Sequence, residues 1–207
     1  MRCCTALIAC LLLGGLSLPL PATAVTPAAQ HRAAVEAARR GEYAAAVEGL
    51  RDLVREYPRR DLYLHDLAVV LSWAGREREA VGLLPRINPY EAPRYVVTTL
   101  ARSAREAGLT GIALDFHRAW LLRWPDDQEA RIGLALTLAA AGEYEAAREQ
   151  LEVLLRAHPD NLEGWRARAR VNLLAGDPLR AAAAWREVLR RRPDDADALR
   201  GLIGSLR

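Results

Sequence analysis

The sequence is poor in the residues that build disulfide-stabilised, strand-rich or nucleic-acid-binding proteins. Of its 207 residues only 3 are cysteine and 6% are aromatic, and lysine is absent. The 29 basic residues, all arginine, stand against 26 acidic ones, which leaves a formal net charge of +3. So small an excess gives no electrostatic footprint for a nucleic acid. Alanine and leucine dominate the hydrophobic residues, and this composition favours helices over strands.

The N-terminus has the form of a secretory signal. Arg2 gives a positive start, residues 5–18 form an apolar stretch, and residues 22–24 are the small residues that a signal peptidase accepts. The apolar stretch is too short to span a bilayer comfortably. We therefore expect residues 1–24 to be a cleaved signal peptide, so that a mature chain starting at Val25 is released into the periplasm without a transmembrane segment.

The three cysteines, Cys3, Cys4 and Cys10, all fall within this segment. The expected mature chain therefore has no disulfide, no thiolate metal site and no thiol nucleophile. An alternative is a lipoprotein, because residues 7–10 have the local shape of a lipoprotein box. Its apolar segment would be shorter than the roughly 7–15 residues of an ordinary signal, and the apolar run 11–20 would stay on the mature surface. We therefore prefer the cleaved signal peptide.

Beyond the signal, two residue types recur at a nearly fixed interval. Spacings of 34, 33, 34 and 34 residues separate Gly41, Gly75, Gly108, Gly142 and Gly176. The second series consists of Pro58, Pro125, Pro159 and Pro193, the last three 34 residues apart. Apolar residues at helical spacing lie on both sides of each glycine, so the repeating unit is helix, glycine turn, helix, proline turn. Glycine supplies the backbone freedom that ends the first helix, and proline stops the second.

The residues between these markers match the tetratricopeptide-repeat (TPR) pattern of large, small and aromatic positions. In the fourth repeat the pattern is filled by Leu134, Ala135, Leu138, Gly142, Tyr144, Ala147, Leu151 and Pro159. In the fifth it is filled by Trp165, Ala169, Gly176, Ala181, Trp185 and Pro193. The chain is thereby identified as a member of the TPR family, which implies an all-α, right-handed superhelix (an α-solenoid). We divide a TPR domain at 25–207 into repeats 27–60, 61–93, 94–127, 128–161 and 162–195 and a capping helix, 196–207.

The second repeat departs from the pattern. Pro85 falls inside its second helix and should end that helix early, because proline removes a hydrogen-bond donor and clashes with the preceding turn. Pro89 and Pro93 then bracket a loop before the third repeat. The irregularity is either a tolerated defect or a local change of superhelical curvature. We treat this junction as a candidate place for a partner.

No catalytic or metal-binding constellation is evident. The four histidines are scattered, with no carboxylate or second histidine at ligand spacing, and neither a phosphate-binding loop nor a nucleophile elbow occurs. His117 occupies a position where the family has a bulky packing residue, so we expect it in the core. The polar pairs that follow three of the prolines are expected to cap helices. They are Asp126-Asp127, Asp160-Asn161 and Asp194-Asp195. The sequence predicts no cofactor, no metal and a binding scaffold rather than an enzyme.

In a TPR superhelix the first helix of each repeat lines the concave groove, and the turn glycines fix which residues point inward. The candidate partner-binding residues are Trp73, Tyr95, Arg102, Arg105, Arg166 and Arg170. Other inward positions are His31, Arg39, His65, Ser72 and Thr98, with Ile132, Leu136 and Ala139 as an apolar floor. Such a groove suits carboxylates, an extended peptide, or a sugar stacked on an aromatic ring. The alternative is that the arginines are ordinary solvated side chains.

Residues 66–81, 95–96, 100–102 and 133–139 carry a narrower likeness. They resemble the N-terminal periplasmic TPR region of poly-N-acetylglucosamine export porins of Gram-negative biofilm formers. The resemblance implies a periplasmic scaffold that guides an exopolysaccharide and its deacetylase towards an outer-membrane pore. The implied partner is an exporter or deacetylase-like protein of the envelope. Two alternatives stay open: a direct polysaccharide-binding module, and a general adaptor in cytochrome maturation or outer-membrane assembly.

Overall fold

The computed structural model describes residues 26–206, and this part of the chain contains helices and turns but no strand. The predicted signal peptide and the three cysteines lie outside the described residues. Within them the α-helices are α1 Pro27–Arg39, α2 Tyr43–Glu56, α3 Asp61–Trp73, α4 Glu77–Leu83, α5 Arg94–Glu106, α6 Thr110–Arg123, α7 Gln128–Ala140, α8 Tyr144–Ala157, α9 Leu162–Leu174, α10 Pro178–Arg191 and α11 Ala196–Ser205. Consecutive helices form hairpins that stack along the chain into the predicted α-solenoid.

Each hairpin turns at one of the regularly spaced glycines. Gly142 has a φ of +83° and Gly176 a φ of +72°, and the other three turn glycines share this left-handed conformation. A residue with a Cβ adopts it only at an energetic cost, so the glycine spacing records a backbone requirement of the turn. The predicted helix, glycine turn, helix unit is confirmed.

The second hairpin is cut short as predicted. Helix α4 has 7 residues, whereas each of the other second helices has 14. Pro85 lies in a 3-10 turn, Leu84–Arg86, that directly follows α4. Leu84 and Ile87 are buried in one cluster with Phe116 of α6, so the truncated end packs against the following hairpin. The same junction lines an open cleft of about 540 Å³ beside α6.

Polar residues cap the first helices of the later hairpins. The side chains of Asp127, Asn161 and Asp195 each accept a hydrogen bond from the backbone N–H three residues further on. These bonds satisfy amide protons that have no partner within the helix, which confirms the capping prediction for these three residues. Asp177 caps α10 in the same way, at a position outside the predicted polar pairs.

The core is a run of apolar clusters between successive hairpins. Small residues let the two helices of a hairpin approach closely, and larger ones such as Leu50, Trp120 and Leu151 fill the space between hairpins. At the end of the described chain Leu202 of α11 packs near Trp185, while the outer side of α11 stays exposed. Between residues 26 and 206, no helix has both the length and the apolar character needed to cross a bilayer.

Candidate binding groove

The first helices of the hairpins form one face of the solenoid. From α1 to α9, each first helix contacts the next first helix. Among the described residues, by contrast, the second helices α2, α4, α6, α8 and α10 make few contacts with one another. In a curved stack the helices inside the curve approach most closely, so the first helices define the concave face. All six candidate partner-binding residues lie on these helices.

At the N-terminal end of this face a single carboxylate joins three first helices. His31 Nε2 on α1 lies 2.6 Å from Asp66 Oδ2 on α3, and Tyr95 on α5 donates its hydroxyl proton to Asp66 Oδ1. The Asp66 side chain is only 13% exposed. Burial raises the pKa of Tyr95 above its usual range, and the nearby Asp66 carboxylate raises this pKa further.

The His31–Asp66–Tyr95 cluster does not have the arrangement of a nucleophile site. In a hydrolase triad the imidazole stands between the carboxylate and the nucleophile and takes the proton of the nucleophile. Here the carboxylate of Asp66 stands in the middle and accepts from both neighbours. The hydroxyl of Tyr95 bonds to Asp66 and not to His31, so His31 is not placed to take its proton. The contacts instead link α1, α3 and α5.

Trp73 lies further along α3 than the Asp66 cluster. Trp73 follows Asp66 by seven positions, which at 1.5 Å per residue places its Cα about 10 Å along the helix from that of Asp66. Trp73 is 51% exposed, and its indole N–H makes no hydrogen bond within residues 26–206. Beside it, Ser72 Oγ lies 2.5 Å from the buried Ser103 Oγ of α5. The two groove aromatics thus mark two points of the α3/α5 surface rather than one cluster.

The two arginines of α5 differ in how they are paired. Arg102 is exposed and reaches across to Glu129 of α7, with Nη2 2.5 Å from Oε1. Arg105, one turn further, is 30% exposed, and its ion-pair partner in the described chain is Glu106 at 3.5 Å. Charge-assisted hydrogen bonds are usually 2.7–2.9 Å long, so the Arg105 pair is weak. Its guanidinium remains available to a ligand in the groove.

The two arginines of α9 also differ. Arg166 is 19% exposed and its guanidinium is held between Glu163 and Asp195. The hydrogen bond to Asp195 raises the pKa of Arg166 and the two carboxylates add to this effect, so the group ties α9 to the start of α11. Arg170 is exposed and has no ion-pair partner among residues 26–206. Of the two, Arg170 is the better placed to meet a partner.

Between these arginines, α7 presents its predicted apolar residues. Ile132 and Leu136 are half-buried, whereas Ala139 is fully buried. Ile132 and Leu136 also line a small cavity of about 100 Å³ between α5 and α7. At this cavity lies His117 of α6, whose predicted burial is confirmed by an exposure of 3%. The cavity connects a second-helix residue to the concave face.

The possible metal-ligating side chains do not come together in the described part of the chain. That part contains no group of three or more His, Asp, Glu or Cys side chains arranged to hold an ion. His65, which the groove prediction included, is half-buried, and desolvation lowers its pKa although Asp61 and Asp66 act in the opposite direction.

Two tetratricopeptide-repeat profiles match the sequence, one over residues 104–171 and the other over residues 166–207. Together they cover residues 104–207, which is half of the chain. The chain belongs to the tetratricopeptide-repeat family. No curated protein matches this TPR protein in sequence.

Solved TPR structures share the fold of this protein. A tetratricopeptide repeat protein from Parabacteroides merdae ATCC 43184 has a TM-score of 0.74 at 17% identity, over 86% of this chain and 72% of that one. YrrB, described as a TPR protein with an unusual peptide-binding site, has a TM-score of 0.73 at 14% identity, over 84% and 91%. MamA from residue 41 to its end, from Desulfovibrio magneticus RS-1, has a TM-score of 0.70 at 17% identity, over 82% and 97%. At such identities the likeness establishes the fold alone.

Three features of the groove were missed by sequence reasoning. Asp66, Glu129 and the cavity beside His117 were not among the expected site residues. Asp66 stands nine residues before a turn glycine, at a position that the other repeats fill with Arg32, Thr99, Gly133 and Ala167. Because the residue at this position varies so widely, the repeat pattern gives no signal for Asp66. Its partner His31 lies 35 residues away, and the spacing of residues within one repeat could not reveal it.

Proposed function

We propose that this TPR protein is a non-enzymatic scaffold that binds an extended segment of a partner protein along the concave face of α3, α5, α7 and α9. The observation that carries the proposal is that this face presents Trp73, Arg105 and Arg170, which neither the core nor a strong ion pair uses. A rigid concave surface with exposed aromatic and cationic groups suits a peptide chain with acidic and apolar residues. YrrB, which shares this fold, is described as having a peptide-binding site, and this supports a peptide as the ligand.

The test compares two triple substitutions that remove the same charge from opposite faces. The groove variant carries Arg102→Gln, Arg105→Gln and Arg170→Gln. The control variant carries Arg118→Gln, Arg156→Gln and Arg190→Gln on second helices, where all three arginines are exposed. The readout is the amount of partner that each purified variant retains from an extract of the native host, identified by mass spectrometry. The groove variant should lose the partner and the control should keep it; equal retention by both would overturn the proposal.

We further propose that the scaffold works in the periplasm, because residues 1–24 have the organisation of a cleaved secretory signal. Expression of the full sequence in a Gram-negative host, followed by fractionation and N-terminal sequencing, tests this. The expected product begins at Val25 and is released with the periplasmic fraction. A lipid-modified product that begins at Cys10 would favour the lipoprotein alternative, and an uncleaved cytoplasmic product would contradict both.

The partner that we propose is an exporter or deacetylase-like component of exopolysaccharide export. The support is the resemblance of residues 66–81 and 133–139 to the periplasmic TPR region of poly-N-acetylglucosamine export porins. Capture from periplasm should then recover an exporter or a carbohydrate deacetylase with the wild-type groove. Recovery of cytochrome-maturation or outer-membrane assembly proteins instead would favour a general envelope adaptor.

A second candidate function is direct binding of the polysaccharide. It is favoured by the half-exposed indole of Trp73 and the exposed ring of Tyr95, 42% accessible, because sugars stack on such faces. Titration of the mature chain with soluble poly-N-acetylglucosamine oligomers, followed by tryptophan fluorescence, tests it. A saturable change that disappears in Trp73→Leu, but not in Trp124→Leu, would support glycan binding. The absence of any change in the wild-type protein would rule it out.

A further inference from the structure

Helix α11 has the register of a first helix, but no second helix follows it among residues 26–206. Ile203 and Leu206 come 34 residues after Ala169 and Asn172 of α9. In α9, and at the same two positions of the four earlier first helices, these residues are buried, and each of those helices packs against the second helix of its hairpin. The side of α11 that would face a second helix is therefore uncovered.

The uncovered side of α11 is an apolar ridge. Leu199, Ile203 and Leu206 are 43%, 55% and 58% exposed, and their spacing of four and three residues puts them on one stripe of the helix. The ion pair between Asp197 and Arg200 lies on the same helix and leaves the three side chains exposed. Neighbouring large apolar residues on the surface indicate an interaction site, whereas single ones do not. We call these three residues the α11 ridge.

The opposite end of the solenoid has an open cleft between α1 and α2, with a volume of about 390 Å³. We call it the α1/α2 cleft; its apolar wall consists of Ala33, Ala34, Ala37, Ala45 and Gly49. A helix turns by about 100° per residue, so the cleft residues of α2 lie opposite Val47 and Leu50, which pack in one cluster with Leu67 of α3. The cleft therefore opens away from the second hairpin.

The cleft exists because the first hairpin has small residues at positions where a later hairpin has large ones. Ala33 stands eight residues before a turn glycine and Gly49 eight residues after it. In the third hairpin these positions hold Leu100 and Phe116, which are buried in one cluster with Leu64 of the preceding hairpin. Large side chains thus fill this face from within later in the chain, whereas in the first hairpin they must come from outside.

We propose that the α11 ridge of one copy of this chain docks in the α1/α2 cleft of a second copy, so that the solenoid continues head to tail. A second copy is the occupant because the chain carries both surfaces at opposite ends, large side chains on one and a matching space on the other. The contact also continues the packing inside the chain, where each hairpin stacks on the next. This inference goes beyond the proposed function, because it requires no other protein.

Charges at the edges of the two surfaces are compatible with this contact. Arg40 and Glu42 pair with each other beside the cleft, as do Asp52 and Arg55. Docking therefore does not need to bury an unpaired charge, which would be costly. The ridge and the cleft are different surfaces, so every added copy leaves one of each available, and assembly should proceed beyond a dimer.

The association should be weak. Helix α11 has 10 residues and is about 15 Å long, so the contact buries less than the roughly 800 Å² per partner of a standard interface. We expect self-association in the micromolar range or above. Sedimentation velocity of the mature chain from low micromolar to several hundred micromolar concentration measures it. The average mass should rise steadily and exceed that of a dimer at the highest concentrations; a monomer throughout would overturn the proposal.

Two blocking variants test which surfaces meet. The ridge variant carries Ile203→Glu and Leu206→Glu, and the cleft variant carries Ala33→Glu and Ala45→Glu; all four side chains are exposed. Each variant alone should stay monomeric where the wild type assembles. Their mixture should form a one-to-one pair that grows no further, because one variant keeps an intact cleft and the other an intact ridge. This pair also shows that both variants are folded.

The remaining outcomes would overturn the proposal. If the cleft variant assembles by itself and the mixture forms no pair, two α11 ridges pair with each other instead. The control variant carries Leu122→Glu and Val153→Glu, at exposed positions of the second helices α6 and α8. It should assemble like the wild type. If it too is monomeric, or if all three variants assemble, the contact lies elsewhere.

Discussion

The imidazole of His117 lies directly against the α carbon of Gly133, so that a Cβ on residue 133 would come within 2.2 Å of His117 Cε1. The same relationship recurs at the end of the described chain, where a Cβ on Gly201 would meet Trp185 Cε2 at 2.4 Å. In both cases a bulky residue nine positions after a turn glycine fits over a glycine of the next helix. At these contacts between hairpins, a bulky side chain on one helix is thus matched by a glycine on the next.

Gly133→Ala should destabilise the protein by about 1–3 kcal/mol, because the added methyl group overpacks a closed contact between α6 and α7. Gly111→Ala is the matched control, since a Cβ there has no neighbour within 4 Å. That control should be neutral or gain up to about 1 kcal/mol from helix propensity. Urea denaturation of both variants measures the difference, and equal stabilities would show that the His117–Gly133 contact is not closed.

His117 should make the protein less stable in mild acid. Its folded pKa of about 4 lies below the ordinary histidine value of about 6.5, so the unfolded chain binds more protons between these values. The stability associated with the neutral ring is complete above about pH 6.5 and is lost as the pH falls towards 4. In His117→Leu the free energy of unfolding should change less over this range, by up to about 3 kcal/mol. Parallel pH profiles for the two proteins would contradict the assignment.

Asp127 should contribute stability through both its cap and its charge. It caps α7 at Ala130 and accepts hydrogen bonds from Trp120 Nε1, 3.0 Å away, and from Arg94. Burial acts to raise the pKa of Asp127, but these hydrogen bonds outweigh it and leave the pKa lowered. Its contribution is therefore complete above about pH 4 and is lost as the pH falls through the lowered value.

Asp127→Asn keeps the capping geometry and removes the charge. It should cost about 1 kcal/mol at pH 7, and the difference from wild type should vanish in strong acid. Asp126→Asn is the control, because that neighbouring carboxylate is exposed and makes no hydrogen bond among residues 26–206. Thermal unfolding at several pH values measures both variants. A constant difference at every pH would mean that the charge of Asp127 is not involved.

Asp66→Ala should loosen the N-terminal hairpin. The substitution leaves His31 Nε2 and the hydroxyl of Tyr95 without their acceptor. This should lower the free energy of unfolding by about 1–3 kcal/mol. Hydrogen exchange should accelerate in α1, whose contact with α3 includes this pair. Asp115→Ala, on the exposed side of α6, should leave exchange in α1 unchanged. Unaltered α1 protection in Asp66→Ala would show that the cluster does not hold these helices.

The repeat architecture could be predicted from the sequence because its determinants are local. A glycine that must adopt positive φ, a proline that stops a helix and small residues at packing positions act over a few residues and recur every 34 positions. The early end of α4 at Pro85 could be predicted for the same reason. The ion pairs and hydrogen bonds of the groove side chains could not be predicted in this way, because they depend on neighbours about one repeat away. Arg166 and Arg170 look alike in the sequence, yet only Arg166 meets Asp195.

The central claim is that the partner lies on the concave face of the first helices. Photo-crosslinking in native cells tests it most directly, with p-benzoylphenylalanine placed at Trp73 or Arg170 of the groove, or at Leu122 or Leu179. These last two are exposed leucines of the second helices α6 and α10. We predict one common crosslinked protein from the two groove positions and none from the two outer positions. Crosslinks to the same protein from Leu122 and Leu179 but not from Trp73 and Arg170 would contradict the account.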